Sequence, residues 1–141
     1  MKPAPHDAAP RFWRDAALPF IEARGITDGR KVCYSRHSHD HFSIGAITAG
    51  RSTYLHERSN FQVESGTVVL MNPGDVHACN PINDQPWSYV MLYVDTLWLR
   101  DLQRRIGFDE NLDFQGFATT HSRDAELIAA FGPLYEQLVD E

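Results

Sequence analysis

Cysteine is scarce in this 141-residue chain: Cys33 and Cys79 are its two, too few for the disulfide lattice that holds small secreted domains together. In a reducing compartment each reads as a small buried apolar residue. Long apolar runs are missing too. No stretch approaches the roughly 18 consecutive apolar residues of a membrane-spanning helix, and Met1 to Pro10 has no apolar segment that would open a secretory signal. A cytoplasmic location with no membrane partner is therefore expected. Positive charge is also in deficit: 13 Lys and Arg stand against 19 Asp and Glu, a formal net charge of −6. A phosphate backbone would repel such a surface, so DNA binding by a parent protein would fall to another segment.

What is present fits one folded domain. Hydrophobic residues make up 43% and charged residues 23%, far from the composition of disorder. A chain of this length buries roughly 65 to 70% of its unfolded surface, enough for one core. Pro3, Pro5 and Pro10 sit among alanines and predict an extended arm over residues 1–11, with order beginning near Phe12 and Trp13.

From Lys31 to Asp95 short runs of β-branched and aromatic residues alternate with turn-formers, the layout of a sandwich or barrel. Strands are predicted at about Val32–Arg36, Phe42–Thr48, Ser52–His56, Phe61–Val63, Thr67–Met71 and Trp87–Val94, with turns at Gly50, Ser59-Asn60, Ser65-Gly66 and Asn72–Gly74. Tyr89, Met91 and Tyr93 alternate with Val90, Leu92 and Val94. That strand is apolar on both faces and belongs inside the sheet, not at its edge.

After Asp95 the period lengthens to about 3.6. Thr96 is a candidate cap for a helix that carries Leu99, Leu102 and Ile106 on one side and stops at Gly107. A second helix follows Ser122, with Asp124 and Glu126 in its first turn and Leu127, Phe131, Leu134 and Leu138 as its stripe. Pro133 predicts a kink or a break there. The stripe, with Phe12, Trp13 and Phe20, suits packing in the chain's own core; the alternative is a dimer interface. No stop signal follows Leu138, and the chain ends as though inside a helix.

Histidine is where the chain stops being ordinary. His37, His39 and His41 alternate, and His77 follows the turn Pro73-Gly74-Asp75-Val76. Alternate residues of a strand share a face, and proline and glycine set the bend that would aim His77 toward the other imidazoles. Three readings remain open: a three-histidine metal site (His37, His39, His77) for zinc, nickel, iron or copper; polar groups of a ligand pocket; or exposed loop histidines that bind nothing. Tyr54, Trp87, Tyr89 and Tyr93 offer apolar surface with a polar tip, the mixture that small-molecule pockets favour. Arg36 and Arg51 are candidates to hold an anion.

The run His37-Ser38-His39-Asp40-His41-Phe42-Ser43-Ile44-Gly45, then Gly50 and Gly66, then Leu70-Met71-Asn72-Pro73-Gly74-Asp75-Val76-His77, and finally Trp87-Ser88-Tyr89 before Met91-Leu92-Tyr93, resembles the N-terminal region of AraC-family transcriptional regulators. The resemblance covers residues 12–140. It implies a mainly β fold, a cupin-like double-stranded β-barrel (jelly roll) followed by C-terminal α-helices: an arm at 1–11, a barrel at 12–95 and a helical dimerisation region at 96–141. It also implies a small-molecule effector in the barrel, a homodimer, and DNA binding through a C-terminal helix-turn-helix domain absent from this chain. His37 and His39 match the histidines of the first cupin motif and His77 that of the second. Ser43 stands near the place where catalytic cupins carry a glutamate ligand, which removes a carboxylate from the site. The expectation is a sensor, not an enzyme, with no certain cofactor; the rivals are a stand-alone metallocupin enzyme and a dimerisation module without ligand.

Overall fold

The computed structural model describes residues 11–29, 41–83, 85–108 and 113–139. Within them lie β1 (Arg11–Trp13), β2 (Ile21–Ile26), β3 (Phe42–His56), β4 (Ser59–Glu64), β5 (Val68–Met71), β6 (His77–Pro81), β7 (Trp87–Val94), α1 (Thr96–Arg105), β8 (His121–Ser122) and α2 (Ala125–Val139). All pairings are antiparallel, and one sheet runs β1-β2-β7-β3-β5-β8 while β4 and β6 flank the far half of β3.

β3 is the shared strand that turns this assembly into a barrel. Its first half pairs with β7 and β5, its second with β4 and β6. The sequence predicts two strands split at Gly50; the structure has one, bent and not ended. Between Ile47 and Ala49 β3 advances two residues while β7 advances one. That bulge reverses the alternation, so Ile47 and Tyr54, seven positions apart, both face the interior cluster. Gly50 completes the bend at φ +75, and a Cβ there would meet the Pro86 carbonyl oxygen at 2.4 Å.

β7 matches its prediction residue for residue. It lies between β2 and β3; Trp87, Tyr89 and Met91 join the interior cluster, while Leu92 and Val90 pack outside against Phe131 of α2. β5 divides likewise, Val69 and Met71 inward, Val68 and Leu70 outward. The predicted strand at 32–36 lies outside the described residues. β1, β2, β6 and β8 escape prediction: Ile21-Glu22-Ala23-Arg24-Gly25-Ile26 carries two charges and a glycine, and β6 ends on Pro81, so pairing partners and not local propensity hold them extended.

The helices differ from their prediction at four points. Asp95, not Thr96, caps α1: its carboxylate accepts from the Trp98 N–H at 2.9 Å. The stop is as expected, since Gly107 (φ +110) and Phe108 donate to the Arg104 and Gln103 carbonyls in the double bond pattern that closes many helices. Ile106, predicted to be buried, is 67% exposed, and the buried residue of α1 is Gln103. α2 runs through Pro133 as one helix, capped by the Asp124 carboxylate on the Glu126 N–H at 2.8 Å. Its buried side carries Leu127, Phe131 and Leu138, with Tyr135 where Leu134 was expected; Leu134 faces solvent. Trp13 packs on the α2 side of the sheet and Phe20 stacks on Trp98 at 4.2 Å, whereas Phe12 is exposed.

Two side-chain amides hold the 113–120 segment to this frame as a strand would. Asn72 donates to the Phe117 carbonyl and accepts from its N–H, both at 2.8 Å. Gln103 does the same with Gln115, at 2.9 and 3.0 Å. Phe114 and Phe117 are thereby seated over Phe42, Val68 and Leu70.

Candidate ligand-binding site

Strand alternation sends one set of side chains into the barrel, and they stop short of filling it. A cavity of about 120 Å3 remains, lined by Arg24 from β2, Ala46 and Ile47 from β3, Val69 and Met71 from β5, His77 and Cys79 from β6, and Trp87, Tyr89, Met91 and Tyr93 from β7. Trp87 and Tyr89 stack with ring centroids 4.7 Å apart and planes 23° from parallel, a flat aromatic wall. A second, larger cleft of about 760 Å3 is lined by residues of β1, of β2 and of the connection between them, together with His41, Tyr93, Val94 and Asp95. Arg24 and Tyr93 line both spaces. His41 meets the edge of Tyr93 at 4.9 Å, and the Arg24 guanidinium carbon lies 5.3 Å from the Phe12 ring centroid, within cation–π range.

His77 is set by the turn that precedes it. Gly74 adopts φ +86 and the Asp75 N–H donates to the Asn72 carbonyl at 3.1 Å, the geometry that proline followed by glycine favours. One Asp75 carboxylate oxygen accepts from the Asn72 N–H at 3.0 Å and contacts His56 Nε2 at 2.8 Å. The His77 ring is buried, with Nδ1 3.1 Å from the Asp75 carbonyl. That contact calls for a proton on Nδ1, because a carbonyl oxygen only accepts.

Of the residues singled out from sequence, His77, Trp87, Tyr89 and Tyr93 meet around the cavity. Tyr54 does not line it: the ring is fully buried in the interior cluster and its hydroxyl donates to the Leu70 carbonyl at 3.1 Å. Burial above all, with Cys79 and Asp75 nearby, pushes its phenol well above the usual range. His37 and His39 lie outside the described residues, as do Arg36 and Cys33. Arg51 is exposed, opposite Glu64 on the outer pair β3–β4.

Seven wall residues were not read as such from the sequence: Arg24, Ala46, Ile47, Val69, Met71, Cys79 and Met91. For Met71 and Met91 the alternation of their strands was the available signal; Arg24 had none, because β2 was not legible.

Cys79 is half-buried as a residue, yet its thiol lies deep enough for burial to push it up to about 12. Among the described residues no three His, Cys, Asp or Glu side chains converge as a metal site would require. Ser43 is fully buried between Met71 and Tyr93 in the strand register, and its hydroxyl has no hydrogen-bond partner among the described residues; it brings no carboxylate to the wall.

Residues 21–141 match the model of the AraC-like ligand binding domain. The chain belongs to that family. As an AraC-like domain it shares its fold with solved cupins. A cupin protein from Bacteroides fragilis aligns at TM-score 0.55 and 17% identity over 84% of this chain and 94% of that one. A Cupin 2 conserved barrel domain protein from Salinispora arenicola aligns at 0.54 and 17% over 74% and 96%. A cupin-2 domain containing protein from Shewanella frigidimarina aligns at 0.50 and 12% over 61% and 79%. Identities this low show the barrel alone. No curated protein sequence matches the chain. The AraC-like domain is thus a ligand-binding, mainly β cupin barrel with C-terminal helices, and no helix among its described residues is long and apolar enough to cross a membrane.

Proposed function

We propose that this domain is the effector-sensing and dimerisation half of an AraC-type transcriptional regulator, which controls DNA binding by an attached helix-turn-helix domain. The observation that carries the reading is the shared wall: Arg24 and Tyr93 face the interior cavity on one side and the cleft beneath the β1–β2 connection on the other. β1 pairs with β2 through Phe12 opposite Arg24. A molecule entering the barrel touches residues that also seat the N-terminal strand, so its affinity depends on where that strand lies. The switch is limited to this difference, about 1.4 kcal/mol for each factor of ten. The ligand leaves unchanged in this reading. Leu134, apolar and half-exposed on α2, supports dimerisation through that helix.

Hydrogen exchange with and without a saturating effector tests the proposal. Amides of Arg11–Trp13 are expected to change protection by tenfold or more, and sedimentation of the same samples to give a dimer. Identical exchange at β1 sinks the sensor; a monomer at every concentration sinks the dimer.

A further inference from the structure

Resting on the reading of the interior cavity as the effector site, we propose that the effector is a neutral compound of one aromatic ring with a carbonyl oxygen, which accepts a hydrogen bond from the Trp87 indole N–H. Trp87 is 1% exposed and lines the cavity. Its Nε1 is buried and has no hydrogen-bond partner among the described residues. An indole nitrogen donates and cannot accept, and a buried donor left unpaired costs free energy that an acceptor restores. The packing of the ring leaves its N–H edge for the cavity. Tyr89 stacks on the indole. A Cβ on Gly29 would come to 2.2 Å from Cε2, 2.3 Å from Nε1 and 2.6 Å from Cζ2. The ring carbon between the other two atoms is the nearest, so Gly29 lies over a face of the indole and not at its N–H edge.

Size and surface set the rest of the molecule. The cavity measures about 120 Å3, and an apolar cavity of about 150 Å3 holds one benzene. One six-membered ring with a short substituent fits; a fused pair does not. Ile47, Val69, Met71 and Met91 surround that space with aliphatic and thioether groups. A polyol would set its hydroxyls against them, where they lose water and gain no partner. An aromatic ring loses nothing there and gains ring and sulfur contacts.

Neutrality follows from the other polar members of the wall. A buried charge is costly unless it is paired, and these groups are engaged already. The Arg24 guanidinium carbon lies 5.3 Å from the Phe12 ring centroid, and His77 Nδ1 is 3.1 Å from the Asp75 carbonyl. Arg24, His77, Tyr89 and Tyr93 each have a further interaction, and burial keeps the Cys79 thiol neutral. The wall therefore asks for one acceptor at Trp87 and no counter-charge.

Benzaldehyde and styrene, which carry an oxygen and a methylene at the same position, are the probes, with ribose as the polyol. Each is titrated into the full chain while the indole N–H signals of Trp13, Trp87 and Trp98 are followed by nitrogen-edited NMR; the Trp87 signal is the one lost in Trp87→Phe. Benzaldehyde is expected to move the Trp87 N–H downfield, and styrene, whose ring current is similar, to move it far less. Trp87→Phe enlarges the cavity for both compounds but removes the donor that benzaldehyde alone uses. The ratio of benzaldehyde to styrene affinity should therefore fall about 3- to 10-fold, the net worth of a neutral hydrogen bond. Equal displacement of the N–H by both compounds in the wild type overturns the proposal without recourse to a variant, as does an unchanged ratio in Trp87→Phe. Failure of both ring compounds to bind, whether or not ribose does, overturns the ligand class and leaves the sensor reading standing. Benzaldehyde held by Trp87 with unchanged exchange at β1 does the reverse.

Discussion

Gln103→Leu isolates what one buried amide contributes to this fold. Gln103 is 4% exposed, and it both donates to the Gln115 carbonyl and accepts from the Gln115 N–H. Leucine keeps the volume and helix propensity but leaves two backbone groups of Gln115 without partners. Each such group costs about 1–3 kcal/mol when water cannot replace the lost bond. Gln115 is only half-buried, which places the sum near the low end, about 2–4 kcal/mol. Urea unfolding should show a lower midpoint with the slope unchanged, and the Gln115 amide should lose its exchange protection. Gln103→Glu keeps the acceptor and sets an oxygen against the Gln115 carbonyl, so it should also destabilise. A Gln103→Leu protein within 0.5 kcal/mol of wild type refutes the idea that this amide holds the 113–120 segment in place.

Two more outcomes follow from the strand geometry and the buried thiol. Gly50→Ala combines a left-handed backbone with a Cβ 2.4 Å from a carbonyl oxygen, and thermal denaturation should register a loss of about 2 kcal/mol or more; a neutral effect would mean that the bend in β3 does not depend on glycine. Burial raises the Cys79 thiol from 9.0 to about 12, so the unfolded chain ionises first. Its contribution is complete below about pH 9 and is lost as pH rises from there toward 12. Comparing urea stability at pH 7 and pH 10, wild type should lose about 1 kcal/mol more than Cys79→Ala, and equal losses would contradict a buried thiol.

Much of the architecture was legible because it repeats. β7 was readable to the residue, since alternation with apolar side chains on both faces has one physical solution, a strand covered on both sides. The turn at Pro73-Gly74 and the stop at Gly107 were readable because glycine at positive φ is a local property. Ile106 and Leu134 show the limit of periodicity. A 3.6-residue repeat names a stripe, but neighbours three and four apart compete for one face, and only the packed partner decides between Leu134 and Tyr135.

The local chemistry of the chain determined by itself that it would be a mainly β domain with helices after Asp95 and a net negative charge. Tertiary structure alone decided that Tyr54 belongs to the core and Arg24 to the cavity wall. Tyr54 turns inward because a bulge six residues earlier in β3 reverses its face, and Arg24 reaches the cavity because β2, unremarkable as a sequence, is held extended between β1 and β7. Both facts depend on which strands lie side by side, and pairing between segments about 70 residues apart leaves no mark on either segment alone.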